Sequence, residues 1–203
     1  MQYKYKEAFH KDVRKLPYNL ENPIDNILVD IADAIDPVFL KLGFTPNGIT
    51  TLSLITGILL NYFYWRNSYG IAAIMAILSY FFDCMDGNFA RKYNMVTDFG
   101  DMYDHVKDIS VILVLFVLFL RKDVGLQFKI MVILLLVLLV IAAIYHLACQ
   151  ERFIKKHKKL VLSKYLNNLS QDCSDEMMQY TRYFGSGSFY AVLVGSILLH
   201  PYF

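Results

Sequence analysis

Four aspartates carry the most unusual chemistry in this sequence. Asp83 and Asp86 stand three residues apart and Asp104 and Asp108 four apart, on either side of a short polar stretch. Residues at either spacing share one face of a helix, so each pair presents two carboxylates to a common point. Carboxylate oxygens select hard cations such as Mg²⁺ or Mn²⁺, whose open positions are commonly completed by substrate phosphates. Four carboxylates offer ligands for two such ions, which neutralise charge on a phosphoryl group during transfer. Gly87, directly after Asp86, lets the backbone approach a ligand, and Gly100 does the same ahead of the second pair. Arg91 supplies a forked donor for phosphate.

The elements that must hold these acids are apolar. The chain has 203 residues, 56% of them hydrophobic, and a mean hydropathy of +0.38, which points to a membrane protein. An ionised Asp at the centre of a membrane helix costs about 3 kcal/mol, so four of them imply function. A net charge of +2 is too small to call for a nucleic-acid partner. Cys84, Cys149 and Cys173 show neither metal-ligand nor paired spacing and read as free thiols of a reducing compartment. Residues 1–20 read as carrying no secretory signal.

Residues 1–43 are expected to form an arm followed by an amphipathic helix, with Ile24, Ile27, Leu28, Ile31, Ile35, Val38, Phe39 and Leu42 at helical spacing. Pro37 should kink or divide that helix. Its polar face is acidic, so anionic lipid would not attract it; a place in the membrane interface and packing on its own protein fit equally well. Residues 44–203 are expected to form one transmembrane domain. Its spans are predicted over 49–65, 71–84, 100–120, 130–149 and 189–199, with 88–99 a polar loop. A sixth segment stays open around 160–180. The fold class is therefore all-α, a polytopic membrane helix bundle with five to six transmembrane helices and an N-terminal amphipathic helix. Both acid pairs end on one side of the bilayer. Arg152, Lys155, Lys156, Lys158 and Lys159, just beyond the fourth span, assign that side to the cytoplasm.

Other polar residues read blandly. His105 and Lys107 fall on faces away from the paired acids and suit packing or solvation, and Asp98 and Asp101 suit a solvated loop. His10, His146, His157 and His200 have no metal-ligand spacing.

From Asp83 through Asp86, Gly87, Ala90, Arg91, Gly100, Asp104 and Asp108 the segment reads D-x2-D-G-x2-A-R-x8-G-x3-D-x3-D. It resembles the CDP-alcohol phosphotransferase (CDP-alcohol phosphatidyltransferase) family, with every fixed position of that signature filled. The resemblance covers residues 44–150 well. It implies that Asp83, Asp86 and Asp104 ligate a pair of divalent ions and that Asp108 completes the site and acts as general base. It also implies that Gly87, Arg91 and Thr97, with Ala90 and Gly100 of the signature, surround the CDP moiety, and that Asn47 and Thr50 line the nucleotide pocket. Members are usually six-span homodimers.

The expected reaction is phosphatidyl transfer from CDP-diacylglycerol to a small polar alcohol, releasing CMP. The Asp104-His105 pair, however, resembles the branch that transfers phosphocholine or phosphoethanolamine from a CDP-alcohol to diacylglycerol. Two readings outside enzymology fit less well. A non-catalytic adaptor would be free to lose motif acids, and a cation carrier would hold its acids at mid-membrane rather than at one surface.

Overall fold

Local sequence sets where each helix begins and ends. Asn22 caps α1 (Pro23–Lys41), its side chain accepting from the Ile24 N–H, with Pro23 in the first turn. Gly43 follows that helix at φ +80°, and the Phe44 N–H reaches back 3.0 Å to the Phe39 carbonyl, a glycine-dependent helix stop. Thr45 then caps α2 (Pro46–Trp65), accepting from the Gly48 N–H at 3.2 Å. The computed structural model describes residues 14, 16–154, 173 and 175–202. Its remaining helices are α3 (Tyr69–Lys92), α4 (Asp98–Arg121), α5 (Leu126–Ile154), α6 (Asp175–Thr181) and α7 (Ser186–Leu199), and the described residues contain no strand. Residues 155–159 with their lysines, and most of 160–174, lie outside the described residues.

Among the described residues, three helical stretches are long and apolar enough to cross a membrane: Tyr69–Lys92, Leu126–Gln150 and Glu176–Tyr202. The last is longer than the short C-terminal run read from sequence, because α6, a 3-10 turn and α7 follow one another almost without interruption.

The close seam of the bundle lies between α2 and α3. Ser53 Oγ donates to the Ser79 carbonyl at 2.8 Å, and Ser79 Oγ returns a bond to the Ser53 carbonyl at 3.0 Å. Small residues at such a seam let two backbones approach, and the paired hydroxyls satisfy each other without water. Gly57 admits α4 on the same side; a Cβ there would sit 2.7 Å from Val111 Cγ2. Leu60, Tyr64, Ala72, Ala76, Val111, Leu115, Leu193 and Ile197 complete this core.

Helix α1 turns Asp25, Asp33 and Asp36 toward α3, while Asp30 is exposed and pairs with Arg14. Tyr80 donates to Asp25 at 2.5 Å, Asn88 to Asp33 at 2.9 Å, and Lys92 pairs with Asp33 and Asp36 at 2.8 and 3.1 Å. Ile27, Ile31 and Val38 are exposed instead. Packing on its own protein, one of the two placements expected for this helix, therefore takes these acids together with Ala32, Ile35 and Phe39, which pack on Ile49, Met85 and Phe89. Pro37 does not divide the helix. The carbonyl it leaves without a helical donor, that of Asp33, accepts from Lys92 Nζ at 3.2 Å. The same contacts explain why α3 runs on to Lys92, through the first part of the predicted polar loop: Asn88 and Lys92 find their partners on α1.

The expectation of three free thiols in a reducing compartment needs correction. Cys149 and Cys173 are joined as a disulfide with Cα atoms 5.7 Å apart, and Cys84 alone is free. The pairing is spatial, made where Leu16 and Leu20 of the arm and Met178 of α6 pack on the end of α5, so spacing along the chain could not announce it.

Candidate active site

Helix α3 delivers Asp83 and Asp86 one turn apart near its C-terminal end. Thr97 caps α4, accepting from the Gly100 N–H at 3.0 Å, and this starts the helix early enough to carry Asp104 and Asp108 to the same level. Ligand oxygens of Asp83, Asp104 and Asp108 all lie within 4.8 Å of one another. Asp86, buried, stands slightly apart and accepts from Thr50 Oγ1 of α2 at 2.6 Å. Tyr103 and Thr51 hydroxyls, 3.2 Å apart, tie α4 to α2 just above.

A residue read as bland sits at the centre. Lys107, whose side chain is 1% exposed, pairs its ammonium with Asp83, with Asp108 at 2.8 Å and with Asp104 at 3.0 Å. It also donates to Ser53 Oγ at 3.1 Å. Its Cβ leaves α4 beside the acid face, but four methylenes carry the charge back into the cluster. The i,i+3 spacing from Asp104 was the available sequence signal. His105 behaves as expected, exposed, with Nδ1 2.7 Å from the Asp101 carbonyl. Asp98 and Asp101 lie in the first turn of α4 rather than in a loop, where carboxylates complement the helix N-terminus.

Two clefts meet at the acids. The narrower, about 200 Å³, is lined by Asn47, Thr50, Gly87, Ala90, Arg91, Thr97 and Gly100 together with Asp86 and Asp104. All seven residues expected around a nucleotide thus face one space. Its walls are tight: a Cβ on Gly100 would lie 2.9 Å from Asn47 Oδ1, and one on Gly87 3.3 Å from an Arg91 guanidinium nitrogen. The wider cleft, about 630 Å³, opens on the other side of Asp83, Asp86 and Asp104 between α3, α5 and α7. Val140, Ile144 and Phe189 give it an apolar part to its lining, and Glu21, Asp25, His146, Gln150 and Ser186 a polar one. Sequence reasoning missed this second space, because it is assembled from helices far apart in the chain.

The donor set suits a hard cation. It is entirely carboxylate, and the buried Asp104 Oδ1, though 3.0 Å from the Lys107 ammonium, receives no hydrogen bond. Carboxylates at the junction of a narrow polar cleft and a wider, partly apolar one can hold a cation against an anionic ligand such as a phosphate.

Comparison with known proteins gives a consistent family. The sequence profile described as CDP-alcohol phosphatidyltransferase matches residues 44–166. Over 81 residues the chain is 35% identical to the CDP-diacylglycerol–glycerol-3-phosphate 3-phosphatidyltransferase of Rickettsia felis, covering 38% of this chain and 45% of that protein. It is 33% identical to the enzymes of the same name from Rickettsia typhi and Rickettsia prowazekii, over 38% of this chain and 46% and 45% of theirs. The match spans a little under half the length of each relative. No solved structure gives a significant match.

Proposed function

The chain belongs to the CDP-alcohol phosphatidyltransferase family, and from that premise we propose that it is an integral-membrane enzyme of phospholipid synthesis. It transfers a phosphatidyl group from CDP-diacylglycerol to the hydroxyl of a small polar alcohol and releases CMP. The observation that carries this reading is the meeting of the two clefts at Asp86 and Asp104, with Asp83 on the wall of the wider one. A CDP group in the narrow cleft brings its lipid-bearing phosphorus to the acids, and the apolar part of the wide cleft's lining gives the acyl chains a way in from the bilayer.

Roles follow from position. Gly87, Ala90, Arg91, Thr97, Gly100, Asn47 and Thr50 hold the CDP moiety, with Arg91 the forked donor to its phosphates. Asp83, Asp86, Asp104 and Asp108 would hold divalent metal, Mg²⁺ or Mn²⁺, with carboxylates for at most two ions; bound there, the metal would neutralise charge on the phosphoryl group. Asp108, the most exposed of the acids paired to Lys107 at 39%, takes the proton of the acceptor hydroxyl. The acceptor oxygen then bonds to the phosphorus carrying the diacylglycerol, the bond from that phosphorus to the CMP oxygen breaks, and CMP leaves.

The names of the Rickettsia relatives favour glycerol 3-phosphate as the acceptor to test first. The Asp104-His105 pair keeps a second reading in play, phosphocholine or phosphoethanolamine transfer to diacylglycerol. We further propose that α2 and α4 cross the bilayer beside the three apolar stretches, giving the five-span bundle. Ile55 and Ile58 of α2 and Ile109, Leu113 and Val117 of α4, all exposed, support that arrangement. The site would then open to the cytoplasm, and exposed Leu134, Leu138 and Ile141 of α5 offer a face for lipid or for the second copy of a homodimer. A CMP-release assay with CDP-diacylglycerol, CDP-choline and CDP-ethanolamine, each with its acceptors, tests the proposal. Release from the lipid donor supports it, release from the others alone moves it to the second reading, and silence with all three overturns it.

A further inference from the structure

The four acids do not stand as equivalent ligands, because Lys107 already holds three of them. We propose that Lys107 is a resident cation that takes one of the two cation places and restricts the site to a single divalent ion, held on the Asp86 side. This rests on the metal-dependent reading above and goes beyond it.

Three observations carry the inference. First, the ammonium lies among Asp83, Asp104 and Asp108 at ion-pair distances, 2.8 Å from Asp108 and 3.0 Å from Asp104. A divalent ion held by those three carboxylates would need the same oxygens, at roughly 2.0–2.1 Å for Mg²⁺, and a second positive charge cannot share that space. Second, Lys107 has nowhere else to go. Its side chain is 1% exposed, and the one partner outside the acids is Ser53 Oγ at 3.1 Å. Expelling the ammonium from the acids would leave a buried charge on a neutral hydroxyl, the costly outcome for any buried ion. Third, Asp86 is not among its partners. Its Oδ2 accepts from Thr50, and with Asp104 it lines the cleft assigned to the nucleotide, where a metal ion would meet the CDP phosphates. Lys107 also holds Asp108 toward the cluster, which makes it a positioning residue for that carboxylate.

The test is a Mn²⁺ titration of the purified full chain in nanodiscs, followed by loss of the free-ion electron paramagnetic resonance signal. Wild type is expected to bind one Mn²⁺ per chain, Lys107→Arg one, and Lys107→Gln two. Two ions in wild type, or one in a Lys107→Gln protein with an unchanged thermal melting profile, overturns the proposal. The wild-type count decides alone should Lys107→Gln not fold. No Mn²⁺ bound by any of the proteins overturns both this inference and the metal-dependent reading. CMP release run on the same samples separates the two: an active enzyme with two ions sinks only the role given to Lys107, and an inactive one with a single ion sinks only the reaction.

Discussion

Thr50 donates a hydrogen bond to Asp86 at 2.6 Å, across the boundary between α2, which precedes the aspartate signature, and α3, which begins it. The bond fixes the one motif acid outside the Lys107 cluster and aims it at the narrow cleft. A hydrogen bond to a charged group is worth about 1.5–3 kcal/mol, so Thr50→Val should lower kcat/KM by roughly 10- to 100-fold, while Thr50→Ser keeps most of it. Steady-state CMP release on the two variants checks this, and equal activity in both would deny Asp86 its support.

Gly100 tests the narrow cleft itself. Its Cβ would stand 2.9 Å from Asn47 Oδ1 and 3.0 Å from Thr97 Oγ1, so Gly100→Ala must push at least one wall of the space. We expect kcat/KM for the CDP-linked donor to fall roughly 10- to 100-fold, the scale of an ångström-sized misplacement, with thermal stability little changed. A fall in stability with unaltered kinetics would make Gly100 a folding residue only.

Gly57 tests the seam far from the chemistry. A Cβ there meets both Val111 methyls, at 2.7 and 3.0 Å, and overpacking of this kind costs about 1–3 kcal/mol. Gly57→Ala should lower the melting temperature in detergent, and adding Val111→Ala should recover part of the loss, the mark of two residues that couple.

Asp36 and Lys92 predict a pH dependence. Burial pushes the Asp36 carboxyl above its ordinary value of 3.8, against the opposing pull of Lys92. A raised acid contributes its stability below the unfolded value and loses it as pH rises through the folded one. Lys92→Met removes the pull, raises the carboxyl further and leaves Asp36 buried without its cation. Stability should drop by about 3 kcal/mol at neutral pH, the low end for a broken buried pair, and by less near pH 5. Melting curves at the two pH values check the sign; a larger loss at pH 5 would contradict it.

The sequence made the aspartate signature plain because its spacing is local, and three or four residues on a helix fix a common face regardless of what surrounds it. Asn47, Thr50 and Thr97 were reachable by resemblance, and they face the same cleft as Arg91. Lys107 was misjudged because the direction of its Cβ says little about where four methylenes can carry a charge. The length of α3 and the continuity of α1 through Pro37 both depend on Lys92 contacting Asp33, a tertiary relation with no local trace. The wide cleft and the Cys149–Cys173 bond likewise join segments distant in the chain.

In the proposed reaction Asp108 removes the acceptor proton at a metal-holding acid cluster. CMP release from CDP-diacylglycerol by Asp108→Asn, beside wild type in Mn²⁺ and in chelator, tests it most directly. Turnover is expected from wild type in Mn²⁺ and none in chelator, with a loss of about 10²–10⁴-fold in Asp108→Asn at unchanged melting temperature. Full activity in Asp108→Asn would contradict it.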